Sequence, residues 1–498
     1  MTINIITCVI PFKNRLAIGK NNDLLIKLKD DQHFFKKITT DSLSSLSKLK
    51  KNVVLMGRKT WFSIPQEKRP LENRINLVLT RDNDLIKTAP YNNNKNVEKD
   101  VYFLNYKQFL QFYKKYNPNV FVIGGSNVYN MFLEDNETLL KADNIFLTEV
   151  KDYKLTKDPD TFINVPDYRY KLVGYSQKYE TEKCNYRILT YKLNNQFKSS
   201  DEFRYLDLAK KILKNGKERL DRTGVGTIST FVESLRFDIS DGTLPLLTTK
   251  RVPIKACIEE LLFFCRGDTN TKILDARGVK IWNANSSREF LNKRGLHHYK
   301  EGVAGPIYGW QWRFFGANYS QAFADTSLVD TSKIGGFDQL EAVVHQLKTD
   351  PFSRRIIISA WNPVDLDKMC LPPCHFSIQF YVEEKNGDKY LSAHFNMRST
   401  DVFLGLPFNI ASYSILVHIL AKKVGMKTNE IIYTGGDVHL YKNHIDQINE
   451  QIDRTPRPFP KIHLNDCIKN MDWSSISYND FELIGYFPHK KLFAPMAV

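Results

Sequence analysis

Residues 120–133 read VFVIGGSNVYNMFL. The run 120–123 is wholly apolar, so a strand formed there has no face to show to water, as in a parallel sheet covered on both sides. A glycine pair ends the run, and Val128, Tyr129 and Phe132 then recur at helical spacing. Strand, glycine turn and helix form the repeating unit of α/β sheets. The pattern recurs on both sides: NVVLMG (52–57), INLVLT (75–80) and VYFL (101–104) are further buried strands, and Tyr106–Tyr116 is a further helix. Residues 1–193 therefore predict an α/β domain around a mostly parallel sheet.

Beyond this domain the pattern changes. The polar stretch 194–201 predicts a short linker, and the Asn- and Lys-rich residues 87–100 a surface loop. Residues 202–498 open with a helix over Glu202–Asn215 and continue with long helices around 254–265 and 410–424. Strands RRIIISAW (354–361) and HFSIQFYVEE (375–384) stand among them, which predicts a separate α+β domain. The apolar run 402–421 contains Pro407, Asn409, Ser412, Ser414 and His418. It predicts a buried helix starting near Asn409 and not a membrane span.

At 498 residues the chain exceeds one core, and 42% hydrophobic with 25% charged residues is ordinary for globular proteins. Of the formal charge of +16, residues 1–200 carry +12 and the rest +4. The basic residues are scattered without a Lys/Arg block, which favours small anionic substrates over nucleic acid. Seven cysteines without CxxC spacing suit reduced thiols in the cytoplasm. His297, His298, His439 and His444 have no metal-ligand spacing, so no metal is expected. MTINIITCVIPF (1–12) reads as a first strand and not as a signal peptide.

Several residues point to chemistry. Asp31 and Phe35 share a helix face at i, i+4, and a carboxyl in an apolar pocket can grip and protonate a heterocycle. Glycines at strand ends beside Arg58, Lys59, Thr60, Thr80 and Arg81 suit a polyanionic cofactor. Cys374, in LPPCHFSIQF (371–380), is a nucleophile candidate if cations favour its thiolate. Arg222, Arg354, Arg355 and Arg398 offer planar forks for phosphate.

Six segments taken in order resemble dihydrofolate reductase over almost all of residues 1–193. They are AIGKNNDL (17–24), Asp31 with Phe35, GRKTWFSIP (57–65), RPLENRINLVLTR (69–81), IGGSNVY (123–129) and FLTEV (146–150). The resemblance implies that Asp31 and Thr148 hold the pterin, that Phe35 packs on it, and that Arg74 pairs with the glutamate carboxylate of folate. It further implies NADPH on Ala17, Gly57, Arg58, Lys59, Thr60, Thr80, Arg81, Gly124, Gly125, Ser126, Asn127, Val128 and Tyr129. Two positions depart from the family. Leu25-Ile26 replace a usual Pro-Trp, and Pro11, lacking an N–H, replaces a usual Ala whose backbone donates to the nicotinamide amide.

Residues 202–498 resemble thymidylate synthase. The segments are DRTG (221–224), TTKR (248–251), ELLFF (260–264), GPIYGWQWR (305–313), DPFSRRIIISAWNP (350–363), PPCHFSIQFYV (372–382), RSTDVFLGLPFNIASY (398–413), GGDVHLY (435–441) and MAV (496–498). The resemblance implies methylation of dUMP at C5 by 5,10-methylenetetrahydrofolate. Cys374 adds to C6 of the uracil, and Arg398 favours its thiolate and, with Arg222, holds the phosphate. The resemblance also implies that Arg354 and Arg355 reach the phosphate of a neighbouring subunit in a homodimer. Asn409 reads the uracil edge, and Ser399, Thr400, Asp401, His439, Leu440 and Tyr441 complete the nucleotide site. Glu260 manages protons at O4, Tyr308 takes the C5 proton, and Trp282, Asp401 and Ala497 contact folate. Met397 stands where Gln is usual, and Val303-Ala304 where Asp-Leu is usual.

The leading expectation is thus one chain in which the first domain re-reduces the dihydrofolate released by the second. Pro11 and Leu25-Ile26 motivate an alternative, an active synthase carrying a weakened reductase domain in a structural or folate-holding role. A basic nucleic-acid-binding regulator is a third reading.

Overall fold

Strand β1 (Thr2–Phe12) is buried along most of its length, as expected for a strand covered on both faces. The computed structural model describes residues 2–41, 47, 49–87, 100–134, 140–194, 200–221 and 223–496. Most of the expected surface loop and of the expected linker, together with Arg222 and Ala497, lie outside the described residues. The chain divides into two compact units, Met1–Lys198 and Ser199–Val498.

In the first unit β1 is followed by β2 (Arg15–Lys20), β3 (Asp23–Leu24), α1 (Lys29–Asp41), β4 (Val53–Gly57), α2 (Arg58–Ser63), β5 (Ile75–Leu79) and α3 (Asn83–Lys87). Then come β6 (Val101–Leu104), α4 (Tyr106–Tyr116), β7 (Asn119–Gly124), α5 (Ser126–Leu133) and β8 (Asn144–Lys151). The unit ends with β9 (Thr161–Ile163), β10 (Tyr170–Tyr175), β11 (Tyr179–Glu180) and β12 (Asn185–Leu193). The main sheet has the order β10-β12-β8-β1-β7-β4-β5-β6. From β8 to β6 every pairing is parallel, and β12 and β10 close one edge antiparallel. Helix α4 starts where Asn105 and Gln108 cap each other reciprocally and stops at Asn117 in the left-handed region, φ 50°.

The second unit begins with α6 (Glu202–Asn215), β13 (Lys217–Arg219), β14 (Thr227–Asp238), α7 (Ile254–Arg266), α8 (Lys272–Ala276) and α9 (Arg288–Lys293). It continues through α10 (Tyr308–Arg313), α11 (Gln339–Thr349), β15 (Ile357–Ser359), β16 (His375–Lys385) and β17 (Asp388–Asp401). Helix α12 (Gly405–Val424) and strand β18 (Lys427–Tyr441) follow, then α13 (Ile445–Ile452), β19 (Lys461–Leu464) and β20 (Phe481–Ile484). Its sheet runs β13-β14-β18-β17-β16-β15, with β17 and β18 parallel and the remaining pairs antiparallel. Helix α12 is buried nearly all round and contributes to one large core with α7 and the inner sheet face. It begins at Gly405, a turn before the expected start near Asn409, because Pro407 is tolerated in a first turn where no N–H is needed. Among the described residues no helix is long and apolar enough to cross a membrane.

Alternation along β16 sends Ile378, Phe380 and Val382 into the core and leaves Gln379 and Tyr381 on the opposite face. On that outer face Tyr381 is 63% and its neighbour Ile357 45% exposed among the described residues, so large apolar side chains meet water there.

Candidate active sites

In the first unit the candidate residues gather at the carboxyl ends of parallel strands, where open α/β sheets bind ligands. Gly57 ends β4, Thr80 follows β5, and Gly124 ends β7. The β4–α2 and β7–α5 turns touch each other. A Cβ on Gly57 would sit 3.2 Å from Val128 Cγ2, and Cβ atoms on Gly124 and Gly125 would sit 3.3 and 3.2 Å from Thr60 Oγ1. Gly124 also has φ +130°, which L side chains rarely adopt. Helix α5 starts directly at Gly125 with no side-chain cap, leaving its first N–H groups for an anion. Arg58 pairs with Asp82 at 3.0 Å. Tyr129 is buried, its hydroxyl donating to the Ile6 carbonyl at 2.8 Å. Ala17 is fully buried opposite Ile10, so it can offer a ligand only backbone.

Next to this cradle, the Thr148 hydroxyl on β8 donates to Asp31 Oδ1 at 2.5 Å. Burial pushes the Asp31 carboxyl above its usual range, against the opposing effect of that hydrogen bond. One turn further along α1, the Arg74 guanidinium lies 5.8 Å from the centre of the Phe35 ring. Arg74 is buried and donates to Thr39 Oγ1 at 2.9 Å. The two departures have visible places. Pro11 is exposed, paired opposite Leu16 where β1 turns into β2. Leu25 and Ile26 pack against a small apolar cluster of Ile10, Leu28, Val150, Cys184 and Tyr186.

In the second unit Cys374 sits just before β16, half-buried, with its sulfur 3.9 Å from Arg398 Nη2. Arg398, on β17, is held by its Nε and Nη2 donating to the carbonyls of Pro373 and Pro372 at 2.8 and 2.9 Å. The paired prolines thus aim a cation at the thiol. The Cys374 N–H donates to the Tyr308 hydroxyl at 2.8 Å. Tyr308 stacks on His375 with ring centres 4.0 Å apart. Burial pushes the Tyr308 phenol well up and the His375 imidazole down to about 3.

A small cavity beside Cys374 is lined by Glu260, Phe264, Trp312, His375, Asn409 and Tyr413, with Leu261 and Ser412. Glu260 accepts from Trp282 Nε1 at 2.7 Å. Apolar surroundings raise its carboxyl to about 7, the Trp282 hydrogen bond opposing. Parallel pairing sets Asp401 opposite His439 and Ser399 opposite Asp437. His439 Nδ1 lies 3.0 Å from Asp437 Oδ1, and its ring meets Tyr441 edge-on at 5.1 Å. Asp401 Oδ1 accepts from the backbone of Phe403 and Leu404.

Some expected residues lie apart. The Thr400 side chain points inward, its hydroxyl accepting from Tyr433 at 2.8 Å, and Leu440 is fully buried, so each can offer a nucleotide only backbone. Arg354 and Arg355 are exposed just before β15, far along β16 from Cys374. Met397, Val303 and Ala304 are core residues. The sequence reading missed His375 and Tyr413, although both sit in quoted motifs next to named residues. It also missed Lys250, whose ammonium donates to the Phe403 carbonyl and is brought down to about 7 by burial, with Asp401 opposing. Among the described residues no cluster of His, Cys, Asp and Glu could hold a metal ion.

Comparison with known proteins covers both units of the chain. The dihydrofolate reductase family model covers residues 5–194, and the thymidylate synthase model residues 203–498. The chain is 39% identical to the bifunctional dihydrofolate reductase-thymidylate synthase of Zea mays, over 97% of this chain and 95% of the relative. It is 38% identical to that of Paramecium tetraurelia, over 97% and 96%. A third relative, the bifunctional dihydrofolate reductase-thymidylate synthase 2 of Arabidopsis thaliana, is 39% identical over 98% and 88%.

Proposed function

The chain belongs to the family of bifunctional dihydrofolate reductase-thymidylate synthases, and on that premise we propose which side chains carry its two activities. It is an enzyme with both functions: reductive methylation of dUMP to dTMP, and reduction of the dihydrofolate so formed to tetrahydrofolate. The observation that carries the synthase assignment is the contact of the Cys374 sulfur with Arg398, beside a cavity lined by Glu260 and Asn409.

Cys374, as thiolate, adds to C6 of dUMP, because uracil C5 is a poor nucleophile until that bond forms. Arg398 stabilises the thiolate and holds the phosphate, with Arg222 as a second fork. Asn409 faces N3–H and O4, and Glu260, poised near 7, exchanges a proton with O4 through water. Tyr308 removes the C5 proton, and expulsion of Cys374 releases dTMP. His439 and Tyr441 hold the ribose, with Ser399, Thr400, Leu440 and Asp401 around the nucleotide. Methylenetetrahydrofolate supplies the one-carbon unit and a hydride when bound; Trp282, Asp401 and the tail through Ala497 cover it.

In the first unit Asp31 and Thr148 anchor the pterin, Phe35 packs on it, and Arg74 takes the glutamate carboxylate. The cradle of Gly57, Thr60, Gly124 and Gly125 fits an NADPH phosphate, since a Cβ at any of its glycines would crowd it. Arg58, Lys59, Thr80, Arg81 and the start of α5 complete that site, and NADPH supplies the hydride. The enzyme works as a homodimer through the synthase unit, in the cytoplasm. The test is Cys374→Ser: dTMP formation falls to background while NADPH-dependent dihydrofolate reduction keeps its rate. Appreciable synthase turnover in this variant would overturn the assignment.

A further inference from the structure

Asparagines stand at the amino ends of five neighbouring parallel strands: Asn144 opens β8, Asn4 lies in β1, Asn119 opens β7, Asn52 precedes β4 and Asn76 lies in β5. Four of them form a directed chain of side-chain amides across the sheet. Asn144 Nδ2 donates to Asn4 Oδ1 at 2.8 Å, and Asn4 Nδ2 donates to Asn119 Oδ1 at 2.8 Å. Asn119 Nδ2 donates to Asn52 Oδ1 at 3.2 Å, and Asn52 Nδ2 ends the chain on the Thr39 carbonyl at 3.1 Å. Asn4, Asn52 and Asn119 are buried, Asn52 completely. Burying amides costs free energy unless each is paired, and a row whose dipoles point one way resists rearrangement of a single member.

The chain ends on the residue that holds a functional side chain. Thr39 Oγ1 accepts from Arg74 Nη1 at 2.9 Å and donates to the Phe35 carbonyl at 2.7 Å. The fifth asparagine grips Arg74 from the other side: Asn76 Nδ2 donates to the carbonyls of Leu71 and Arg74, both at 3.0 Å, and its Oδ1 accepts from the Leu71 N–H. Fully buried Asn52 and Asn76 therefore fix, respectively, the α1 turn at Thr39 and the strand entry that present the guanidinium.

We propose that this asparagine row, with Asn52 as its last link, is a positioning network for Arg74 and sets how tightly the reductase unit holds the carboxylate end of its substrate. The proposal rests on the reading of Arg74 as the folate-carboxylate cation. A bidentate charge-assisted pair depends on direction as well as distance, so loosening Thr39 weakens carboxylate capture and leaves the pterin end, held by Asp31 and Thr148, in place.

The test uses the full chain and two substrates, dihydrofolate and dihydropteroate, which lacks the glutamate. The readout is the ratio of their kcat/KM values, which general loss of fold does not move. Arg74→Leu should collapse the ratio; an unchanged ratio there refutes the Arg74 reading itself. Asn52→Ala should lower the ratio about fivefold or more through the dihydrofolate KM, with kcat and dihydropteroate reduction kept. An equal loss on both substrates would overturn the proposal. Should Asn52→Ala not fold, Asn144→Ala, at the half-buried far end, should lower the same ratio about twofold, and no change there overturns it equally.

Discussion

Glu260 accepts a hydrogen bond from Trp282 and shares its cavity with Leu261, Phe264, Trp312, Asn409, Ser412, Tyr413 and a His375 that is uncharged at neutral pH. This environment disfavours its carboxylate and sets the value of about 7, as suits a group that must exchange protons near neutrality. The same shift has a stability consequence with a definite sign. The folded carboxyl, at about 7, holds its proton where the unfolded one, at 4.5, has released it. Folding therefore loses stability as pH rises from about 4.5 to about 7, and the loss levels off above that. Glu260→Gln keeps the acceptor for Trp282 but cannot ionise. Thermal melting of the variant should gain on that of the parent across this pH window and run parallel above it. Parallel curves across the whole range would remove Glu260 as the shifted group. Synthase activity of the variant should fall sharply, because the amide cannot pass a proton to O4.

The register of strand β15 bears on which arginines can reach Cys374 within one chain. Ile357 pairs with Gln379 and Ser359 with Ser377, so Arg355, continuing the register, falls opposite Tyr381. That is seven residues along β16 from Cys374, about 23 Å at roughly 3.3 Å per residue and beyond the reach of any arginine. Arg355 instead shares the outer sheet face with exposed Tyr381 and Ile357, the face on which the proposed homodimer needs its second subunit. Arg355→Ala and Cys374→Ser chains should each be inactive synthases as homodimers. Their mixed dimer holds one site with both lesions and one with neither, so subunit exchange should restore up to about half the activity per heterodimer. Exchange verified by mass with no recovered dTMP formation would reject the shared site. The elements themselves were legible: α4, α5 and α6 follow the helical spacing of their apolar residues, and in α4 a capping box marks the start as well. The start of α12 was not, since Pro407 looks like a breaker until it is known to lie in a first turn. Nor were the inward turn of Thr400 and the asparagine row visible in sequence. Parity at a strand end depends on the partner strand, and isolated asparagines read as turn residues until the sheet order aligns them.

As a whole molecule the chain joins a reaction that oxidises its folate to one that restores it. Motifs spread over both units made this legible, because each combines residue types that a packing role alone does not require: a cysteine behind paired prolines, an aspartate above a phenylalanine, glycines where helices begin. Pro11 and Leu25-Ile26 are absorbed as an exposed turn and an apolar cluster, while Asp31 keeps its hydrogen bond from Thr148 and Arg74 its hydrogen bond to Thr39. The decisive measurement is dTMP formed per folate by one purified chain given limiting tetrahydrofolate, with formaldehyde, dUMP and NADPH in excess. Each turnover of the synthase consumes one reduced folate, so continued product requires the reductase in the same sample. The chain should form many dTMP per folate, Asp31→Asn should stop near one, and Cys374→Ser should form none. Arrest of the unmodified chain at one dTMP per folate, or undiminished cycling by Asp31→Asn, would contradict the account.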